Sequence, residues 1–531
     1  MTHPSSLSRR RFLHASAAGL AAGVLQRTTA ARATTPTGSG RPNIVLILAD
    51  DLGYGEIGAY GQDIIRTPRL DRMAEEGIRF TDYYTAAPIC APSRCSLLTG
   101  THQGHATIRH NSFNEGLEQE SFSADDVTIA ELLSDAGYAT ALYGKWGFGP
   151  DDRYFAHPGD EGDPSHPLQR GFDEFTGFIY HHHATNGYWA DYWWEGNERV
   201  DIPENANGAR GRYTPDDYVG RALDFMRVNA EADQPFFLML SSQLPHTPNH
   251  VPDFSEYDDL PMANDTKKHA AMVTLLDTHV GMVLDQLAEL GVADNTLVLF
   301  TSDNGPHNET TVYGGTDPIP GPNIFSAGDD IYFNANGPFR GVKQNLYEGG
   351  IRVPMIAWGP GLLAPEQQGA VSAHQWAGYD ILATIADVAG VSAGAGDGIS
   401  VKPLLTGGQQ QAHEYLYWER FKAGAPTPQY YLNDRGRHGK FVQAVRKGKW
   451  KCLRWAPGVA RDGSIDITIG GTNPQLVVPV ARVPKDAWEV ELFDLERDPG
   501  ETVNRAPANL SLVQELTAHM DHAHQPPAAT R

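Results

Sequence analysis

Cysteine is scarce in this chain: three in 531 residues, at positions 90, 95 and 452. Three thiols cannot build a disulfide framework, so the fold must rest on a packed core. Positive charge is short as well. Lysine and arginine number 42 against 65 aspartates and glutamates, a formal net charge of -23. That balance excludes general nucleic-acid binding, which needs a basic face. An anionic ligand is admissible only where a few cations converge. Long apolar runs are missing too, so no segment reads as a stable membrane anchor.

What is plentiful points to a globular protein with long loops: 55 glycines, 36 prolines, 40% hydrophobic and 20% charged residues. The length exceeds one ordinary core and predicts one large domain plus a smaller one. Residues 1–33 stand apart from both. Arg9, Arg10 and Arg11 precede Phe12-Leu13, a weak apolar run and an Ala31-Arg32-Ala33 cleavage signal. The pattern resembles a bacterial twin-arginine export signal. It implies a periplasmic or secreted protein that folds before passing the twin-arginine translocase.

Short apolar runs then recur, each ending in polar residues: "NIVLILADD" from Asn43, "ATALYGKW" from Ala139, "PFFLMLSSQLPHTP" from Pro235, "NTLVLFTSDNGPH" from Asn295 and "RVPMIAWGPG" from Arg352. Apolar runs without alternation read as strands covered on both faces. Helical patterns lie between them. "TPRLDRMAEEG" offers Thr67 as N-cap, Pro68 at the first helical position and Gly77 as the stop. "VTIAELLSDAG", "TKKHAAMVTLLDTHVGMVLDQLAELG" and "YDILATIADVAG" continue the series. The expected fold is α/β, a mostly parallel central sheet sandwiched by helices, over residues 41–406. "LLTGGQQQAH" is the expected linker. Residues 407–531 then read as a small α+β domain with antiparallel strands and a terminal helix.

Ligands of such sheets bind at the carboxyl ends of the strands. Asp50, Asp51, Lys145, His246, Asp303 and Asn304 all occupy such ends. Three carboxylates cannot sit together ionised without a cation, and oxygen-only ligands favour Ca²⁺ or Mg²⁺. A single Asp-Asp pair can equally be a solvated turn; two such strand ends in one sheet favour the ligand reading. Cys90 falls in "PICAPSRCSLLTG", where Pro92 suits the first turn of a helix. A thiol at a helix N-terminus beside Arg94 is expected to be acidic and nucleophilic; taken alone, it can also be buried packing.

Cys90-Ala91-Pro92-Ser93-Arg94 followed by Leu97-Leu98-Thr99-Gly100 resembles the signature of type I sulfatases, of the alkaline-phosphatase-like superfamily. The likeness extends through "ADDLGYGEIG", "GKW", "LPHTP", "SDNG", "GVKQNLYEGGIRVP" and "ELFDLERDPGE". It implies an alkaline-phosphatase-like α/β domain with a smaller C-terminal domain. It also implies that a formylglycine-generating enzyme oxidises Cys90 to Cα-formylglycine. The hydrate of that aldehyde attacks sulfur with one hydroxyl and expels sulfate through the other. By the same resemblance, Asp50, Asp51, Asp303 and Asn304 hold Ca²⁺, which also contacts the modified Cys90. Arg94 supports the nucleophile, Lys145 and Lys343 bind sulfate, and His246 contacts the ester and protonates the leaving oxygen.

One position departs from the family. A histidine commonly follows Gly-Lys-Trp, and here it is Gly147. His181, His182, His183 and His307 are candidates for its task, with His183 and His307 the expected site-lining residues. Tyr188, Trp189, Tyr192, Trp193 and Trp194 are either core packing or a platform for a sugar or aryl ring. The expectation is a Ca²⁺-dependent sulfatase acting on aryl or, preferentially, carbohydrate sulfates. The rivals are a phosphonate monoester or phosphodiester hydrolase of the same superfamily, and a noncatalytic anion-binding protein with Cys90 unmodified.

Overall fold

Seven buried residues, Asn43–Ala49, form the first strand, β1, and the rest of the main sheet is laid on either side of it. A computed structural model describes residues 40–111, 121–149, 165–180, 187–307, 333–421, 441–455 and 488–525. The expected export signal and His183 lie outside the described residues. The other strands are β2 (Ile78–Phe80), β3 (Tyr83–Tyr84), β4 (Ala139–Lys145), β5 (Glu174–Phe178), β6 (Tyr192–Glu195), β7 (Glu198–Asp201) and β8 (Phe236–Ser241). β9 (Thr296–Ser302), β10 (Met355–Trp358), β11 (Ala370–Ser372) and β12 (Trp376–Ala377) follow. β13 (Leu416–Phe421), β14 (Phe441–Lys447), β15 (Trp450–Trp455) and β16 (Glu489–Asp494) complete the series.

Ten strands make one sheet in the order β11-β2-β10-β9-β1-β8-β4-β5-β6-β7. Its centre, β9-β1-β8-β4-β5, is parallel throughout, with Ile44 opposite both Phe237 and Leu297. β10 pairs antiparallel with both its neighbours, and β6 and β7 extend the far side as an antiparallel meander.

Alternate residues of β1 serve opposite cores, as a period of two requires. Val45 and Ile47 pack with Phe225 and Val280 of the helices Thr214–Glu231 and Asn264–Glu289. Ile44, Leu46 and Leu48 pack with Leu97, Leu98 and Ile385 of the helices Cys90–Thr99 and Asp380–Ala389. Each such side chain contributes about 1.5–3 kcal/mol of burial, which is why these strands lack polar alternation.

The helix Pro68–Glu76 starts after Thr67 and stops at Gly77. Thr67 does not cap it with its side chain. Asp277, on the helix Asn264–Glu289, accepts from the N–H groups of Arg69 and Leu70 at 2.9 and 2.7 Å instead. At Ile129–Asp135 the cap is local, a reciprocal Thr128–Glu131 capping box.

β13-β14-β15-β16 form a separate antiparallel sheet. One face, with Trp418, Leu453 and Phe493, packs on Tyr84, Tyr347 and Tyr379 of the larger part. The other, with Tyr417, Val445 and Leu492, lies under Leu516 and Met520 of the terminal helix Leu510–Ala523. The expected linker spans the end of the helix Lys402–Leu405 and the approach to β13. Among the described residues, no helix is long and apolar enough to cross a membrane.

Candidate active site

Four adjacent strands bring their carboxyl ends together. β1 runs out into Asp50 and Asp51, β4 ends on Lys145, β8 leads through Ser241 to His246, and β9 leads into Asp303 and Asn304. The exits are cross-braced: the Asp50 N–H donates to the Leu244 carbonyl and the Asp303 N–H to the Ala49 carbonyl, both at 3.1 Å. Successive strand residues point to opposite faces, so adjacent carboxylates share a site only where the chain turns. Asp51 makes that turn at φ 68°, a left-handed conformation that costs a non-glycine residue roughly 1–2 kcal/mol.

Asp50, Asp51, Asp303 and Asn304 are all buried, and a buried cation faces each carboxylate. Lys145 Nζ lies 2.6 Å from Asp50, Lys343 Nζ 2.7 Å from Asp51 and Arg94 Nη2 2.9 Å from Asp303. Arg94, expected beside the nucleophile, thus serves Asp303 first. Its Nη1 also donates to the Lys145 carbonyl at 3.0 Å and to Ser241 Oγ at 2.6 Å. Burial pushes Asp50 up, but Lys145, His246, Arg94 and Lys343 together hold it well below the usual carboxylate range. Asp51 is lowered too, His246 and Lys343 overcoming its burial. Asp303 is pushed up to about 6 by burial and by Asp50.

Burial brings His246 down to about 4, so its ring is neutral near pH 7. Its Nδ1 donates to the Thr247 carbonyl at 2.5 Å, which leaves Nε2 to accept from Lys343 Nζ at 3.1 Å. The Tyr188 hydroxyl holds this turn from behind, donating to the carbonyls of Gln243 and His246 at 2.9 and 2.5 Å. His307 joins the group, its ring centroid 6.0 Å from that of His246. Burial and Lys343 push it down to about 3.

Cys90 opens the helix Cys90–Thr99, with Pro92 in the first turn as expected. Its Sγ stands 3.7 Å from Asp50 Oδ1 and 4.0 Å from Asp51 Oδ1. Asn111 Oδ1 caps the same helix by accepting from the Ala91 N–H at 3.0 Å. The thiol is not acidic, contrary to expectation. Burial pushes it up to about 12, outweighing Lys145 and Lys343; the helix terminus does not compensate for complete desolvation. Cys95, one turn on, is an apolar packing residue of the core.

Asp50, Asp51, Cys90 and His246 each offer a ligand atom within 4.8 Å of the others. Asn304 Nδ2 donates to Asp51 Oδ1 at 2.6 Å, while its buried Oδ1 has no hydrogen-bond partner among the described residues. An orphaned amide oxygen beside three carboxylates is a donor set for a hard cation.

Gly147 stands at φ 96°, and a Cβ there would lie 3.6 Å from Arg94 Cδ and 3.9 Å from Lys145 Cε. There is room for a side chain, but the backbone conformation favours glycine.

The sequence model of the sulfatase family matches residues 42–391. The chain belongs to the sulfatase family. Arylsulfatase A of Bos taurus is 32% identical over 512 residues, covering 90% of this chain and 87% of that protein. N-acetylgalactosamine-6-sulfatase of Canis lupus familiaris is 32% identical over 433 residues, covering 78% and 72%. The solved structure of Ps i-CgsB with k-i-k-neocarrahexaose matches the fold at a TM-score of 0.66 and 23% identity, over 92% of this chain and 94% of that one. This sulfatase is accordingly a sulfuric ester hydrolase with the α/β architecture of its superfamily.

Four supports of the sulfatase site escape a reading by motif: Ser241, Ser302, Tyr188 and Asn111. Ser302 Oγ accepts from the Leu52 N–H and donates to the Asn304 carbonyl, both at 2.9 Å. Serines at the ends of β8 and β9 were the available signal. Tyr188, Trp193 and Trp194 are buried packing residues, whereas Trp189 and Tyr192 are half-buried.

Proposed function

We propose that this sulfatase hydrolyses carbohydrate or aryl sulfate esters through a formylglycine made from Cys90, with Ca²⁺ held by Asp50, Asp51, Asp303 and Asn304. The observation that carries this reading is the buried oxygen cluster with its orphaned Asn304 Oδ1, set against a cysteine at a helix start. The donors are hard oxygens, and a thiol pushed up to about 12 offers no thiolate to a soft metal. Three carboxylates and three cations make the cluster neutral. A divalent ion gives it two positive charges, which complement a sulfate.

Ca²⁺ supplies Lewis-acid polarisation of a sulfate oxygen. A hydrated formylglycine would offer one hydroxyl as nucleophile toward sulfur, with the ester's alcohol as leaving group, and a second hydroxyl whose deprotonation would release sulfate. The chain's own groups do the rest. The first N–H groups of the helix Cys90–Thr99 favour negative charge at residue 90. Arg94 fixes Asp303 and the end of β4 together. Lys145 and Lys343, each holding a carboxylate of the cluster, would bind the sulfate group. His246 accepts at Nε2 from Lys343, so the pair can pass a proton to the leaving oxygen. His307 lines the same wall.

The likeness to arylsulfatase A and to N-acetylgalactosamine-6-sulfatase supports both aryl and sugar esters as substrates. Maturation by a formylglycine-generating enzyme and export by the twin-arginine translocase, to the periplasm or beyond, belong to the same reading. The test is a comparison of kcat/KM for 4-nitrophenyl sulfate, sulfated mono- and oligosaccharides and bis(4-nitrophenyl) phosphate. Sulfate esters are expected to turn over faster, with activity lost in EDTA and restored by Ca²⁺. Faster turnover of the phosphodiester overturns the reading in favour of a phosphonate monoester or phosphodiester hydrolase.

A further inference from the structure

Lys343 comes to the site on a segment that belongs to none of the four converging strands. The Lys343 N–H donates to the Pro306 carbonyl at 2.9 Å, and the Gln344 N–H to the Pro88 carbonyl at 2.7 Å. The segment is thus laid across the two stretches of chain that carry Asn304 and Cys90. Gln344 stands at φ 75°. A non-glycine residue holds that left-handed conformation only where its surroundings enforce it.

The surroundings that grip residues 344–348 come largely from the C-terminal sheet. Arg420, on β13, is buried and donates to both the carbonyl and the side-chain oxygen of Gln344. Tyr347 donates to Glu491, on β16, at 2.6 Å. The Glu348 N–H donates to the Glu501 carboxylate at 2.7 Å. Lys451, on β15, lies 2.9 Å from Glu348 and 3.0 Å from Glu501, and all three are fully buried. Bonds in so dry a place are strong when complete and costly when broken.

We propose that the C-terminal sheet is a clamp that sets the position of Lys343, with Arg420 its principal positioning residue. The proposal rests on the reading of Lys343 as a sulfate contact. Lys343 is a long side chain that must meet Asp51 and His246 at 2.7 and 3.1 Å. A backbone shift of about 1 Å is enough to lose such contacts, and misplacements of that size cost up to about a hundredfold in rate. The small sheet therefore acts on the chemistry without touching it.

The test uses the full chain with Arg420→Ala and Arg420→Lys, alone and combined with Lys343→Ala. KM and kcat for 4-nitrophenyl sulfate, the Kd for inorganic sulfate by calorimetry, and thermal unfolding are measured. A merely structural role lowers Tm and the active fraction but leaves KM and sulfate affinity alone. The clamp predicts that Arg420→Ala raises KM and the sulfate Kd together by about tenfold. Arg420→Lys keeps a donor for one of the two oxygens and raises both by about threefold. On a Lys343→Ala chain, Arg420→Ala adds less than about twofold, because both act through one group. If the alanine variant does not fold, the lysine variant carries the test with the same sign. Unchanged KM and Kd in a folded Arg420 variant, or losses that multiply in full with Lys343→Ala, overturn the clamp. Wild-type protein that binds sulfate without hydrolysing the ester overturns the hydrolase chemistry alone, and the sulfate affinities then decide the clamp.

Discussion

Removing the Arg94 guanidinium tests how the site is held together before any chemistry begins. Arg94 is 1% exposed and bridges Asp303, the Lys145 carbonyl and Ser241. Arg94→Met keeps most of the packing volume and leaves Asp303 buried without its nearest cation. Breaking one side of a buried ion pair costs about 3–5 kcal/mol, a large part of a typical total of roughly 5–15 kcal/mol. With about 2 cal/mol/K of unfolding entropy per residue, a chain this long loses about 3–5 °C in Tm. Arg94 also sits in the motif expected to direct modification of Cys90, so activity alone would confuse two effects. The comparison is therefore made in a Cys90→Ala background, in EDTA, by chemical and thermal unfolding. Adding Asp303→Asn removes the stranded charge and is expected to restore at least about 1 kcal/mol relative to Arg94→Met alone. A cost below about 1 kcal/mol for Arg94→Met, or a double variant as unstable as the sum of the singles, refutes the reasoning.

Three further outcomes follow from the same geometry. Burial pushes Asp277 up to about 6. The folded state therefore binds its proton more tightly than the unfolded chain, and stability present below pH ~4 falls as pH rises to ~6, by about 3 kcal/mol. Asp277→Asn is expected to flatten that part of the stability–pH curve. Gly147→His, which restores the family's residue, places a side chain at φ 96°; it is expected to lower stability by about 1–2 kcal/mol and to reduce kcat/KM instead of raising it. Tyr188→Phe removes the hydroxyl that holds the Gln243 and His246 carbonyls; urea unfolding should show a loss of about 1 kcal/mol, and kcat should fall several-fold.

Much of this arrangement is legible in local sequence because local chemistry decides it. Pro68 and Gly77 mark the start and stop of one helix, and Thr128 with Glu131 forms a reciprocal cap at another. The polar residues after β1, β4, β8 and β9 converge because parallel strands must end on one side. What escapes depends on partners far along the chain. Asp277 caps a helix some two hundred residues earlier. "MIAW" has the same composition in either direction, and β10 runs antiparallel only because of how the chain re-enters the sheet. The strands β6 and β7 are four residues each, too short for a period to show, although β6 carries Tyr192 and the buried Trp193 and Trp194. Cys90 is the clearest case. Its flanking residues predict an acidic thiol, while the surrounding fold desolvates it and drives it the other way.

Burial pushes the Cys90 thiol up to about 12, which favours the neutral thiol at neutral pH, and the proposed mechanism assigns the attack on sulfur to a formylglycine at this position. The direct measurement is mass spectrometry of the Cys90 peptide from active protein. A mass about 18 Da below that of the cysteine peptide, with activity abolished by Cys90→Ala, is the predicted result for an aldehyde nucleophile. Unmodified cysteine throughout a fully active preparation contradicts it.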